Sequence, residues 1–142
     1  MNFDECVEKG LITKDSKAPE RIESSLQVSE RFLEQAKGNM KMEYYVACEL
    51  LAYNSCFHSG RALLYSKQYR ERSHVCLIAA LSSLFENDNE ISSMLGTFDE
   101  IRLSRHDVQY GGAMVSKGKA QIVLNFASDF LEIVKEKVKD TS

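Results

Sequence analysis

The sequence predicts an all-α fold, an up-and-down bundle of four to five helices, and three observations carry that prediction. One proline and seven glycines in 142 residues leave few interruptions. Between them, apolar residues recur at steps of three, four and seven, the spacing of one helical face. No segment sustains the period-two alternation of a half-buried strand, so little or no sheet is expected.

The elements follow in chain order. A short turn or helix is expected around Phe3 to Lys9, within an N-terminal segment of residues 1–15. In "APERIESSLQVSERFLEQAKGN", Pro19 suits a first helical turn and acids follow it directly. Ile22, Leu26, Leu33 and Ala36 share a face, and Gly38-Asn39 is expected to close the helix. The second long segment, about residues 40 to 66, spaces Val46, Leu50, Tyr53, Phe57 and Leu64 helically. A third, about 72 to 86, carries Leu77, Ala80, Leu81 and Leu84, and a fourth runs from about Asn89 to Tyr110. The last, about 117 to 138, lines up Ala120, Leu124, Ala127, Leu131, Val134 and Val138, with Ser116 placed to cap it. Connections as short as "GNM" and "SKQYRER" favour antiparallel neighbours.

Length and composition bound the function. The 142 residues fit a single domain, 1–142, with 44% hydrophobic and 27% charged residues. A net charge of −3 gives no global positive field, so any nucleic-acid contact must come from a local patch. "MNFDECVEKG" has early acids and no apolar run, which argues against a secretory leader. No stretch approaches the ~20 apolar residues of a membrane helix. The expected compartment is cytoplasmic, and Cys6, Cys48, Cys56 and Cys76 are expected there as reduced, small packing residues.

Motifs for several chemistries are missing. Cys56-Phe57-His58 and His74-Val75-Cys76 look like ligand pairs, but residues two apart on a helix point about 200° apart. Core thiols with capping or packing histidines are the expected roles, and no metal or cofactor is implied. "SKGKA" lacks the phosphate-loop pattern and follows no strand, and no G-x-S-x-G elbow is present.

The informative stretch is "RLSRHDVQYGG", residues 102–112. Projected at about 100° per residue from Arg105, the apolar residues Ile91, Met94, Phe98, Ile101 and Val108 fall within about 60°. Arg105 therefore sits at the centre of an apolar stripe. A buried unpaired guanidinium is very costly, so Arg105 must reach solvent, find a carboxylate, or line a cleft or subunit interface. Its stem could pack on the core while the head snorkels out, or it could bind phosphate with His106 or Tyr110 assisting. His106 and Tyr110 are four apart and adjacent on the helix surface, with Leu103 projecting near Tyr110 and Asp107 away from the core.

"YYVACELLAYNSCFHSGRALLYSKQYRERSHVCLIAALSSLF" (44–85), followed by "RLSRHDVQYGG", resembles the HEPN-domain family, and its small prokaryotic single-domain members most closely. The likeness runs from about Ser16 to Val138. It implies a HEPN-like bundle of four or five helices that forms a homodimer, with motif arginines meeting in a cleft at the interface. Many family members are metal-independent ribonucleases, often toxins encoded beside a minimal nucleotidyltransferase. Their motif is an arginine, a polar residue, a few variable positions and a histidine. Arg105-His106 matches the opening pair, but Tyr110 stands near the place of the closing histidine. In some family pairs the transferase modifies a tyrosine near this motif; Tyr110 is that position here, although the histidine-x-tyrosine context is missing.

The substitution matters, because metal-free RNA cleavage needs a group to take the 2′-hydroxyl proton and another to stabilise the phosphate's charge. Arg105 suits the second task, while a tyrosine with a pKa of about 10 is a poor base. Two readings follow. One is a module that dimerises and binds a nucleotide, RNA or a nucleotidyltransferase partner in a toxin–antitoxin-like or defence setting. The alternative is a metal-independent ribonuclease toxin using Arg105 and His106, with Tyr110 beside them. An unrelated helical interaction domain is the bland remainder.

Overall fold

A computed structural model describes residues 1–141, which fold as a helical bundle with one very small sheet. The helices are α1 (Phe3–Glu8), α2 (Ile22–Lys41), α3 (Tyr45–Ser66), α4 (His74–Leu84), α5 (Asn89–Gly111) and α6 (Lys117–Val138). Strands β1 (Ile12–Lys14) and β2 (Tyr69–Glu71) pair antiparallel, with Ile12 opposite Glu71 and Lys14 opposite Tyr69.

Local chemistry sets most helix starts. Asn2, Ser73, Asp88 and Ser116 each accept a hydrogen bond from a backbone N–H three residues on, at 2.8, 3.2, 3.1 and 3.1 Å. Pro19 lies in a 3₁₀ turn, Ala18–Arg21, that leads directly into α2. Gly112 ends α5 in the left-handed region at φ 70°, where a residue without Cβ is unstrained.

Helix α3 is the central element, packed against α2 and α6 and, on its other side, α4 and α5. It is buried over much of its circumference, and small residues make that possible. Ser29 of α2 lies against Ser55 and Ser59 of α3, its hydroxyl donating to the Ser55 carbonyl at 2.8 Å. The stripes expected on α2 and α6 are all buried, as are Ile91, Leu95, Phe98, Ile101 and Val108 of α5.

Three expectations need correction. Helix α2 does not stop at Gly38-Asn39 but continues to Lys41. The Asn39 side-chain amide donates to the Gln35 carbonyl at 2.8 Å, so it bonds back onto the helix, and Glu43, at φ 63°, supplies the left-handed turn. The "SKQYRER" connection contains β2; strands of three residues are too short for alternation to show in sequence. Finally, the cysteines are not four equivalent packing thiols. Cys48 and Cys56 are free and buried, but Cys6 and Cys76 form a disulfide across 70 residues that ties α1 to the first turn of α4. No helix among the described residues is long and apolar enough to cross a membrane.

Candidate functional site

Arg105 resolves the anomaly at the centre of the α5 stripe by lying on an aromatic ring. Its Cζ sits 4.7 Å from the centroid of the Tyr53 ring, contributed by α3. Its Nη1 donates to Gln109 Oε1 at 2.9 Å, one helical turn on, while its Nε is buried without a partner. No carboxylate among the described residues lies within 4.0 Å of it. Arg102, in contrast, is paired with Asp99 at 2.9 Å, and Arg61 with Glu71 at 2.7 Å. On its other side Arg105 lines a groove of about 350 Å³ with Leu50, Leu51, Asn54 and Gln109. The guanidinium is thus half-buried, cushioned on a π-face, and lacks a counter-charge.

His106 and Tyr110 lie together on the solvent side, ring centroids 4.9 Å apart, as their four-residue spacing requires. Both are exposed, Tyr110 at 67%. Leu103, one further exposed apolar residue, flanks them, and Met114 and Ile122 follow in the next loop and the start of α6. The structure brings Arg105 against the core and leaves His106 and Tyr110 on the adjoining surface.

A residue read from sequence as a packing histidine joins Arg105 instead. Tyr53 Oη and His74 Nδ1 share a hydrogen bond at 2.6 Å, so one tyrosine carries Arg105 on its ring and His74 on its hydroxyl. The His74 imidazole stacks on Phe57 at 3.9 Å, and Arg61 lies 5.6 Å above the same Phe57 ring. Burial holds the His74 pKa below the usual histidine range, and the positive charges of Arg105, Arg102 and Arg61 push it the same way. Burial raises the Tyr53 phenol, and the neighbouring Arg105 opposes that shift. Helical projection could not find this group: Tyr53, His74 and Arg105 stand on three different helices, and only Arg105 breaks its own helix's pattern.

His58 extends the aromatic row, stacked on Phe32 at 5.6 Å and edge-on to Phe57 at 5.4 Å. Burial, aided by Arg61 and His74, lowers its pKa to about 4. A histidine that titrates near 6.5 when unfolded but near 4 when folded binds more protons unfolded across that interval. Stability is therefore expected to be flat above pH 7 and to fall between pH 6.5 and 4. For a half-exposed ring the loss is discounted to on the order of 1 kcal/mol. Urea titrations of wild type and His58→Gln at pH 7.5 and 4.5 check this, since the variant should lose less stability on acidification. Equal losses in the two proteins would remove His58 as the cause.

A second polar cluster stands one residue along α5. Ser104 Oγ donates to Glu49 Oε1 at 3.1 Å, and Lys119 Nζ of α6 donates to Ser104 Oγ at 2.8 Å. Lys119 Nζ is 3.4 Å from the same carboxylate oxygen, and Glu49 is fully buried. Nothing in the sequence distinguished Lys119 from other lysines; the buried acid of α3 does.

Comparison with known proteins agrees with these features. A family model described as the HEPN domain matches residues 22–137. A protein of Methanocaldococcus jannaschii that carries the name "putative toxin" is 25% identical over 133 residues, covering 93% of this chain and 98% of the relative.

Proposed function

The chain belongs to the HEPN-domain family, and from that premise we propose that it is a toxin-like module that binds RNA by its phosphate backbone at Arg105. The observation that carries this reading is the uncompensated guanidinium: Arg105 has an aromatic seat and a neutral hydrogen-bond partner but no carboxylate. A phosphodiester supplies the missing charge and accepts charge-assisted hydrogen bonds. The toxin name carried by the Methanocaldococcus jannaschii relative points the same way.

The same reading makes the molecule a homodimer through the flank bearing Leu103, Tyr110, Met114 and Ile122, whose exposure is 51, 67, 91 and 63%. Large apolar side chains so exposed on neighbouring segments suit an interface rather than bulk water. Tyr110 also offers an accessible hydroxyl to a nucleotidyltransferase partner. A ribonuclease using Arg105 with His106 has less geometric support, because the His106 imidazole packs against Tyr110 on the outer surface.

Arg105→Ala is expected to weaken binding of a fluorescent single-stranded RNA about tenfold or more in anisotropy titrations at fixed salt, the worth of one charge-assisted contact. His106→Ala should change it less. Unaltered affinity in Arg105→Ala would place the RNA elsewhere. Light scattering should give twice the chain mass for wild type and a lower mass for Leu103→Glu.

A further inference from the structure

Resting on the reading that this face binds RNA, we propose that His74 is the proton acceptor of the site, filling the role that Tyr110 leaves open on α5. The geometry is that of an oriented imidazole. Ser73 caps α4 and fixes its first residue, His74. The ring is stacked on Phe57 at 3.9 Å and 11°, and its Nδ1 is tied to Tyr53 Oη at 2.6 Å. Its Nε2 has no protein partner and is not among the buried unpartnered atoms, so it is open to solvent. When Nδ1 carries the proton and donates to Tyr53, Nε2 keeps its lone pair, as a base held by an orienting group must.

Tyr53 also fixes where this base stands, because Arg105 rests on its ring. The anion-stabilising group and the imidazole are therefore held by one buried side chain. The charged and titratable groups around His74 are Arg102 and Arg105 of α5, Arg61 and His58 of α3, and Glu71 of β2. Glu71 is engaged by Arg61 at 2.7 Å, so no carboxylate faces the imidazole to hold a proton on it. Burial and the guanidinium groups keep His74 neutral at neutral pH.

The step balances without any co-reactant but water. The ribose 2′-hydroxyl gives its proton to His74 Nε2 as the 2′-oxygen bonds to phosphorus. The bond from phosphorus to the 5′-oxygen breaks, and that oxygen takes a proton from water. Arg105 stabilises charge on the non-bridging oxygens. The products are a 2′,3′-cyclic phosphate and a 5′-hydroxyl end, and the imidazolium returns its proton to solvent.

The test follows binding and cleavage of one end-labelled single-stranded RNA by the full chain in chelator between pH 5 and 8. Wild type should cleave to cyclic-phosphate ends, with a rate that rises through a midpoint below 6.5 and is flat above pH 7. His74→Gln should lower the rate about 100-fold, the usual worth of a general base, while RNA affinity stays within about twofold. His74→Asn, which keeps a partner for Tyr53, should fall as far. Tyr53→Phe should fall less and move the midpoint of the pH profile. RNA bound but left intact by wild type overturns the proposal and leaves the binding reading standing, whereas RNA that does not bind overturns both. Wild-type cleavage rates in His74→Gln also overturn it. Should neither His74 variant fold by circular dichroism, the wild-type profile decides, and a midpoint at or above 6.5 counts against His74.

Discussion

Phe98→Ala is expected to lower the free energy of unfolding by about 4 kcal/mol, within the range for emptying a buried aromatic site. Phe98 is fully buried and is where α5 docks on the bundle. Its ring meets Phe130 of α6 at 5.4 Å and Tyr53 of α3 at 6.2 Å. On α3 it also faces Gly60, where an added Cβ would come within 3.1 Å of Phe98 Cε2 and 3.3 Å of Leu77. The missing side chain at Gly60 is thus what lets the ring seat, and a close-fitting cavity of this kind refills poorly. At roughly 2–4 °C per kcal/mol for a chain near 150 residues, the melting temperature should fall by about 10 °C. A second effect separates this site from an anonymous core position. Phe98 supports Tyr53, which carries Arg105, so Phe98→Ala should also weaken RNA binding although it touches no RNA. A destabilisation below about 1.5 kcal/mol in urea titration would mean that α5 is held by other contacts.

How far this architecture is legible in sequence depends on whether the signal is local. The α5 stripe is local: its residues repeat along one helix, so Arg105 could be recognised as an intruder before any tertiary contact was known. Ser116 as a cap and the closeness of His106 and Tyr110 are local in the same way. The end of α2 shows the limit, because Gly38-Asn39 carries a stop signal that a side-chain bond from Asn39 overrides. Pairings between distant segments leave no such trace. Ile12 opposite Glu71, Cys6 bonded to Cys76, and Tyr53 between His74 and Arg105 are all fixed by helix packing, not by spacing. His74 looked like a packing residue because it does pack, on Phe57; its other edge is what matters for chemistry. Glu49 is the same case, an acid within an otherwise apolar helix whose partner lies 70 positions later, at Lys119.

That pair carries the second large effect. Lys119→Met is expected to destabilise the fold by about 3 kcal/mol, the lower end of the range for stranding a buried charge. Among the described residues, Lys119 is the cation within 4.0 Å of Glu49, whose Oε2 already lacks a partner. Removing the ammonium leaves the carboxylate with only the Ser104 hydroxyl. The lower end is chosen because the Lys119 side chain is 43% exposed, so water replaces part of what is lost. Glu49→Gln in the same chain should recover most of the loss, since a neutral amide costs far less to bury than an unpaired carboxylate. Ser104 and Lys119 join the C-terminal half of α5 to the first turn of α6, so the loss should not be uniform. Backbone amides of residues 101–111 should exchange faster in Lys119→Met than those of α2, and Arg105 lies within that segment. If Lys119→Met and Glu49→Gln instead give additive losses in the double-mutant cycle, the two side chains are independent, and Glu49 must be satisfied by water alone.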